Sequence, residues 1–198
     1  MLPEPIRKFI EVFSKLPAIG PRMATRLSFY LSSLDKNSLK ELEDALSDLK
    51  KISRCPNCFF LKCGGHYCSI CSDEKRDKGL IAILEKDTDL LSIEKTGNFK
   101  GQYLIIGELN EREGLGSAHK LRIKHLKERI KRDLDGKAKE VVLALNPTAF
   151  GNFVSDLLRK ELEGNALKIT RLGRGIPTGG EIEFADEETL SQALERRN

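Results

Sequence analysis

No run of apolar residues in this 198-residue chain is long enough to cross a membrane, and the opening MLPEPIRKF has the layout of neither a signal nor a transit peptide. A cytoplasmic protein with no membrane partner is therefore expected. No G-x-x-x-x-G-K-[ST] occurs, which excludes the phosphate-cradling loop of an ATPase. His119 and His125 lack a Ser or Cys partner at a recommending distance, so both read as surface or packing residues. There is no acidic excess either. The net charge is +4 and the pI about 8.7, a mild bias compatible with nucleic acid. Ten Lys/Arg against four acids fill 112–139, and six acids against two arginines fill 181–198.

The cysteines lie in one place. CPNCFFLKCGGHYCSIC, residues 55–71, carries two C-x-x-C knuckles, Cys55/Cys58 and Cys68/Cys71, with nine residues between them. In a reducing compartment a disulfide framework is disfavoured and metal is the better use. Four thiolates supply the folding free energy that a stretch of about twenty residues cannot draw from a core. The matched knuckles make Cys55, Cys58, Cys68 and Cys71 the expected ligands of one structural Zn²⁺. Cys63 and His66 lie inside the loop, and either could replace one member, for instance His66 for Cys68.

Ahead of the knuckles, Ile6, Phe9, Ile10 and Phe13 recur at helical spacing over 5–14. The chain turns through LPAIG, and Pro21 opens a second helix carrying Ala24, Leu27, Leu31 and Leu34 inward. Helix, glycine turn, helix is the shape of a helix-hairpin-helix. Unpaired amides near Gly20 at the second helix N-terminus suit a phosphate, and Arg22 and Arg26 add charge one turn apart. Gly20, Arg22 and Arg26 are thus the expected contacts to a DNA backbone, made without reading bases. A third helix, with leucines at 39, 42, 46 and 49, reads as packing support.

Behind them the pattern becomes α/β. Apolar runs at 80–84, 102–106, 141–145 and 167–170 alternate with helical segments, which predicts a small, mostly parallel sheet. Glu85 stands at the end of the first strand, where a carboxylate could serve as acid, base or Mg²⁺ ligand. The matching loop NPTAFGN, 146–152, offers no carboxylate, so Glu85 reads as a helix-start or surface group and the loop as scaffold. A Mg²⁺-dependent nuclease or topoisomerase-like enzyme using Glu85 is the alternative. Residues 171–180 form a loop rich in glycine with Arg171 and Arg174. Glu181–Asp186 alternates like an edge strand, its part from Glu183 to Asp186 resembles the tail of a Walker B strand, and a helix starts near Glu187.

In this order LPAIGPRMATRL, CPNC…CSICSD, the Glu85 strand, NPTAFGN and GRGIPTGGEIEFADEETLSQAL make the sequence resemble, nearly end to end, the RecR family of bacterial recombination mediators. The resemblance implies a multi-domain α/β protein: a helix-hairpin-helix domain at 1–53, a four-cysteine zinc finger at 54–77, a Toprim domain at 78–170, and a Walker-B-like region with a short strand and helix at 171–198. It further implies a non-enzymatic, nucleoid-associated protein that binds double- and single-stranded DNA. Such a protein acts with RecO and RecF to help load the strand-exchange recombinase, and assembles as a ring-shaped tetramer, a dimer of dimers. The family's zinc ligands fall on the four cysteines, its basic DNA contacts on Arg22 and Arg26, and the Toprim glutamate, a possible partner contact, on Glu85. The sequence departs from the pattern in places. The acids of the catalytic motif DPDxEGE are replaced by Asn146, Thr148, Phe150 and Asn152, Ala18 stands where a glycine is usual, and Cys63 is one cysteine more than the usual four.

Overall fold

A computed structural model of the chain describes residues 2–111, 114–173 and 175–195. It divides into two compact units, Met1–Ile52 and Ser53–Asn198.

The first unit is helical: α1 (Glu4–Phe13), α2 (Pro21–Ser33) and α3 (Lys36–Asp48). Prolines stand in the first turns of α1 and α2, where a missing N–H costs nothing. Asp35 caps α3 by accepting from the amides of Asn37 and Ser38 at 2.9 and 3.1 Å. The rings of Phe9 and Phe13 stack at 3.8 Å. Ala24 is buried in α2 as its spacing predicts, with Leu27, Leu31 and Leu34 half-buried. The expectation for α3 is corrected. Its leucines, and Leu49 in the 3₁₀ turn that follows, are not packing support but lie open, Leu39 the least exposed at 38% and Leu49 the most at 65%.

In the second unit the cysteine stretch comes first, with the short strands β1 (Ile52–Arg54) and β2 (Leu61–Cys63) paired and one helical turn, α4 (Ser69–Ser72). Then β3 (Asp77–Leu84), α5 (Asp87–Lys95), β4 (Gly101–Ile105), α6 (Ser117–Asp133), β5 (Ala138–Ala144), α7 (Ala149–Glu161) and β6 (Ala166–Arg171) alternate. The four long strands form one sheet in the order β4-β3-β5-β6, and every pair is parallel. This is the sheet that the apolar runs predict.

Because side chains alternate across a strand, β3 feeds two cores. Ile81 and Ile83 join Ile123, Leu126 and Ile130 of α6 and Val154 and Leu158 of α7 on one face. Ala82 and Leu84 join Leu90 of α5 and, on the same face, Cys55, Cys58, Cys68 and Ile70. The cysteine stretch is therefore a covering layer for the sheet. Fully burying each of these isoleucines and leucines contributes about 2–3 kcal/mol.

The edge strand expected at Glu181–Asp186 does not form. Ile182–Phe184 is a single 3₁₀ turn with Ile182 and Phe184 68% and 79% exposed. The C-terminal strand is β6 instead. A turn closed by Gly180 N–H on the Pro177 carbonyl at 2.8 Å precedes the segment. Asp186, read as a Walker-B-like acid, accepts from Thr189 N and Oγ1 at 2.8 and 2.7 Å and so starts the last helix, α8 (Glu187–Glu195). Arg174 lies outside the described residues.

Candidate metal centre and nucleic-acid interface

The knuckles converge. The sulfurs of Cys55, Cys58, Cys68 and Cys71 all lie within 4.8 Å of one another, and the first three residues are buried. Four sulfurs at a zinc–sulfur bond length of about 2.3 Å in a tetrahedron stand about 3.8 Å apart, so the set fits such an ion. Cys63 is exposed and, like His66, outside the set. The surroundings suit thiolates. Backbone amides of Phe60 and Cys68 donate to Cys58 and Cys55, and Asn57 Nδ2 donates to Cys71, each at 3.4 Å. The hydrogen bond between Cys58 and Cys68 pushes the Cys58 thiol up and pulls the Cys68 thiol down. A divalent ion held by the four sulfurs would displace their protons.

The turn that presents the first knuckle is unusual in carrying Phe59 at φ 63°, a left-handed position normally left to glycine. The ring is held from both sides: Arg122 lies over its face, Cζ 4.8 Å from the centroid, and His125 meets it edge-on at 5.4 Å. Both come from α6, so the basic band is not all solvated. Arg122 Nη1 donates to the Ile105 carbonyl at 2.9 Å. Arg129 is 3% exposed, and its Nη1 donates to the carbonyls of Asn57 and Tyr103 at 3.1 and 3.4 Å. The Ile105 amide donates to the Cys58 carbonyl at 2.9 Å, which ties the knuckle to the β4 edge.

A second tie runs from the end of the cysteine stretch. Arg76 makes a bidentate pair with Glu94 of α5 at 2.9 and 2.5 Å, and Nη1 also donates to the Gly101 carbonyl. Tyr103 OH donates to the same carboxylate at 2.5 Å. Burial alone would raise the Glu94 pKa, but Arg76 and Tyr103 outweigh it and hold it below its ordinary value.

Glu85 is not the surface group its position suggests: it is 7% exposed. Its carboxylate accepts from the Leu109 amide at 3.2 Å and from Asn146 Nδ2 at 2.9 Å, so it pins two loops at the strand ends. Where a two-metal or acid–base site needs a second carboxylate, Glu85 faces a carboxamide. The rest of NPTAFGN is scaffold, as expected. Thr148 Oγ1 caps α7 by accepting from Gly151 N at 3.0 Å. A Cβ on Gly151 would fall 2.0 Å from the Asn146 carbonyl oxygen.

In the helical unit Gly20 is the N-cap of α2 and offers no side chain to cap it. The first α2 amide bonded back is that of Ala24, on the Gly20 carbonyl at 3.0 Å. The amides of Arg22 and Met23 are thus left open to an anion. Arg22 and Arg26 are exposed, four residues apart on that helix, with no ion-pair partner among the described residues. Gly20 itself has φ −83°, open to any residue. The left-handed residue of the turn is Ala18, at φ 61°.

Sequence reasoning missed Asn57, Arg122 and Arg129. Only a faint signal was present: Arg122 and Arg129 are seven residues apart, on the same helix stripe as the buried Leu126.

Comparison with known proteins agrees with this anatomy. Residues 6–50 match the family profile described as RecR, helix-hairpin-helix, residues 79–173 that of the Toprim domain, and residues 175–198 that of RecR, C-terminal. The chain is 42% identical to the recombination protein RecR of Syntrophomonas wolfei over 99% of its own length and 98% of that protein's. It is 39% identical to that of Bifidobacterium animalis, covering 97% and 94%, and 36% identical to that of Myxococcus xanthus, covering 100% and 98%.

Proposed function

Because the chain belongs to the RecR family of recombination proteins, we propose that it is a recombination mediator in DNA repair that grips DNA by its backbone and catalyses nothing. The observation that carries this reading is the start of α2, with two open amides beside two unpaired guanidinium groups. Such a surface attracts phosphate of any sequence. The pairing of Glu85 with Asn146 supports a role without chemistry.

On this reading the four cysteines hold one structural Zn²⁺, and the protein works from the cytoplasm and nucleoid. The chain divides at 53, 77 and 170. It acts with RecO and RecF to help load the recombinase onto single-stranded DNA, with the two loops that the buried Glu85 pins as the partner contact. Several subunits assemble as a ring, a dimer of dimers, so that weak phosphate contacts sum. The open leucines of α3 favour such assembly, since a large exposed apolar face is otherwise a liability.

The test is Arg22→Ala with Arg26→Ala, read by fluorescence anisotropy on double- and single-stranded oligonucleotides at two salt concentrations. Affinity should drop at least about tenfold for every sequence alike, with a shallower salt dependence and an unchanged mass in solution. Unaltered affinity would remove the hairpin from DNA binding.

A further inference from the structure

Arg129 presents a problem that hydrogen bonding within the fold does not solve. Its guanidinium is buried between α6, β4 and the first knuckle, and Nη2 has no hydrogen-bond partner. Its two acceptors are neutral carbonyls. An ionised group so placed is costly unless an opposite charge lies close. The Asn57 carbonyl it holds belongs to the peptide that leads into Cys58, and the Asn57 side chain donates to Cys71 Sγ at 3.4 Å, so two of the four candidate metal ligands stand one peptide or one hydrogen bond away. The thiolate centre has the mirror-image problem. Four thiolates around one divalent ion leave a net charge of −2, and Arg129 brings a buried positive charge against the peptide beside Cys58.

We propose that Arg129 is the counter-charge of the four-cysteine centre and a positioning residue for it. It neutralises part of the excess negative charge while fixing the Asn57 peptide, whose side chain donates to Cys71. Because the same Nη1 also holds Tyr103 of β4, metal loading and anchorage of the cysteine layer on the sheet edge become one event. The inference rests on the cysteines holding a divalent metal, and it assigns Arg129 no contact with the ion.

The experiment compares the full-length protein with R129M, which keeps length and loses charge. Zinc content is measured by elemental analysis, and zinc release to an excess of a chromophoric chelator is followed in time. R129M should release zinc about 10-fold faster or more, the usual effect of removing a group that supports metal ligands. The gain in Tm on adding zinc to stripped protein should also shrink, because the charge helps only the loaded state. Equal release rates and equal gains would overturn the proposal. Should R129M fail to fold, R129K and R129Q decide. Retention restored by Lys and lost with Gln supports the counter-charge, and equal leakiness of the two overturns it. A parent protein purified without stoichiometric zinc would instead defeat the zinc reading itself.

Discussion

Among the described residues of α1, α2 and α3 only Ala24 and Ser28 are buried, whereas every residue of β4 is. Both regions carry apolar residues at the spacing their secondary structure demands. The sheet closes both of its faces within its own unit, with α6 and α7 on one and α5 and the cysteine layer on the other. The helical unit leaves Leu42, Leu46 and Leu49 43–65% exposed. Amphipathic spacing therefore announces a face to be covered, not what covers it. Substitutions in the sheet unit should accordingly cost folding free energy, while the helical unit should tolerate change at little cost to its own stability.

Two glycines put that contrast to its hardest test. At Gly151 a Cβ would overlap the Asn146 carbonyl oxygen, a backbone atom that cannot swing away. Gly151→Ala should cost about 3 kcal/mol or more in urea denaturation. At Gly20 a Cβ would meet nothing within 4 Å, and the backbone is extended. Gly20→Ala should cost about 1 kcal/mol at most, the loss of a favourable N-cap residue. Similar costs at the two positions would break the contrast.

The sequence displayed what repeats or pairs locally. Strand runs, helix spacing and matched knuckles are all short-range patterns, so the sheet and the four cysteines could be read directly. What stayed hidden depends on distant partners. Glu85 is held by groups 24 and 61 residues away, and Arg129 by carbonyls 72 and 26 residues away. Alone in the sequence, both look like solvated charges. The 181–186 segment failed for a related reason. Its alternation is real, but a strand exists only when a neighbour supplies the ladder, and Asp186 is already committed to capping α8. The turn after Leu16 shows a finer limit. The glycine that spacing nominated is in an ordinary conformation, and the constrained residue is Ala18.

The tie between Arg76, Glu94 and Tyr103 sharpens the comparison through pH. Glu94 titrates below its ordinary 4.5 in the folded protein. Its contribution is therefore full above the unfolded pKa, and it is lost as pH falls through the lower folded value. Glu94→Gln should cost about 1–2 kcal/mol at pH 7, since the carboxylate is charge-bonded yet a quarter exposed. The gap between parent and variant should close as pH drops below about 4.5. Taking the difference cancels any metal loss common to both proteins. A gap that stays constant from pH 7 to pH 3 would assign the pair no electrostatic role.

The smallest effect is expected at Ala18, where the sign is the informative part. An alanine held at φ 61° carries about 1 kcal/mol of steric strain or slightly more, because its Cβ crowds the carbonyl oxygen. Glycine relieves that strain but gives the unfolded chain more freedom, at a cost of about 0.5–1 kcal/mol. The net for Ala18→Gly is a gain of about 0.3 kcal/mol, a rise of about 1–2 °C in Tm for the cooperative unit that contains the hairpin. The amide of Ile19 closes this turn on the Leu16 carbonyl at 3.1 Å and sets the chain direction into α2, so the turn is not free to relax into another shape. A fall in Tm would mean that the turn is held so loosely that Ala18 escapes its strain. The open amides at the start of α2 would then be poorly fixed as well, and phosphate binding there would have to rest on Arg22 and Arg26 alone.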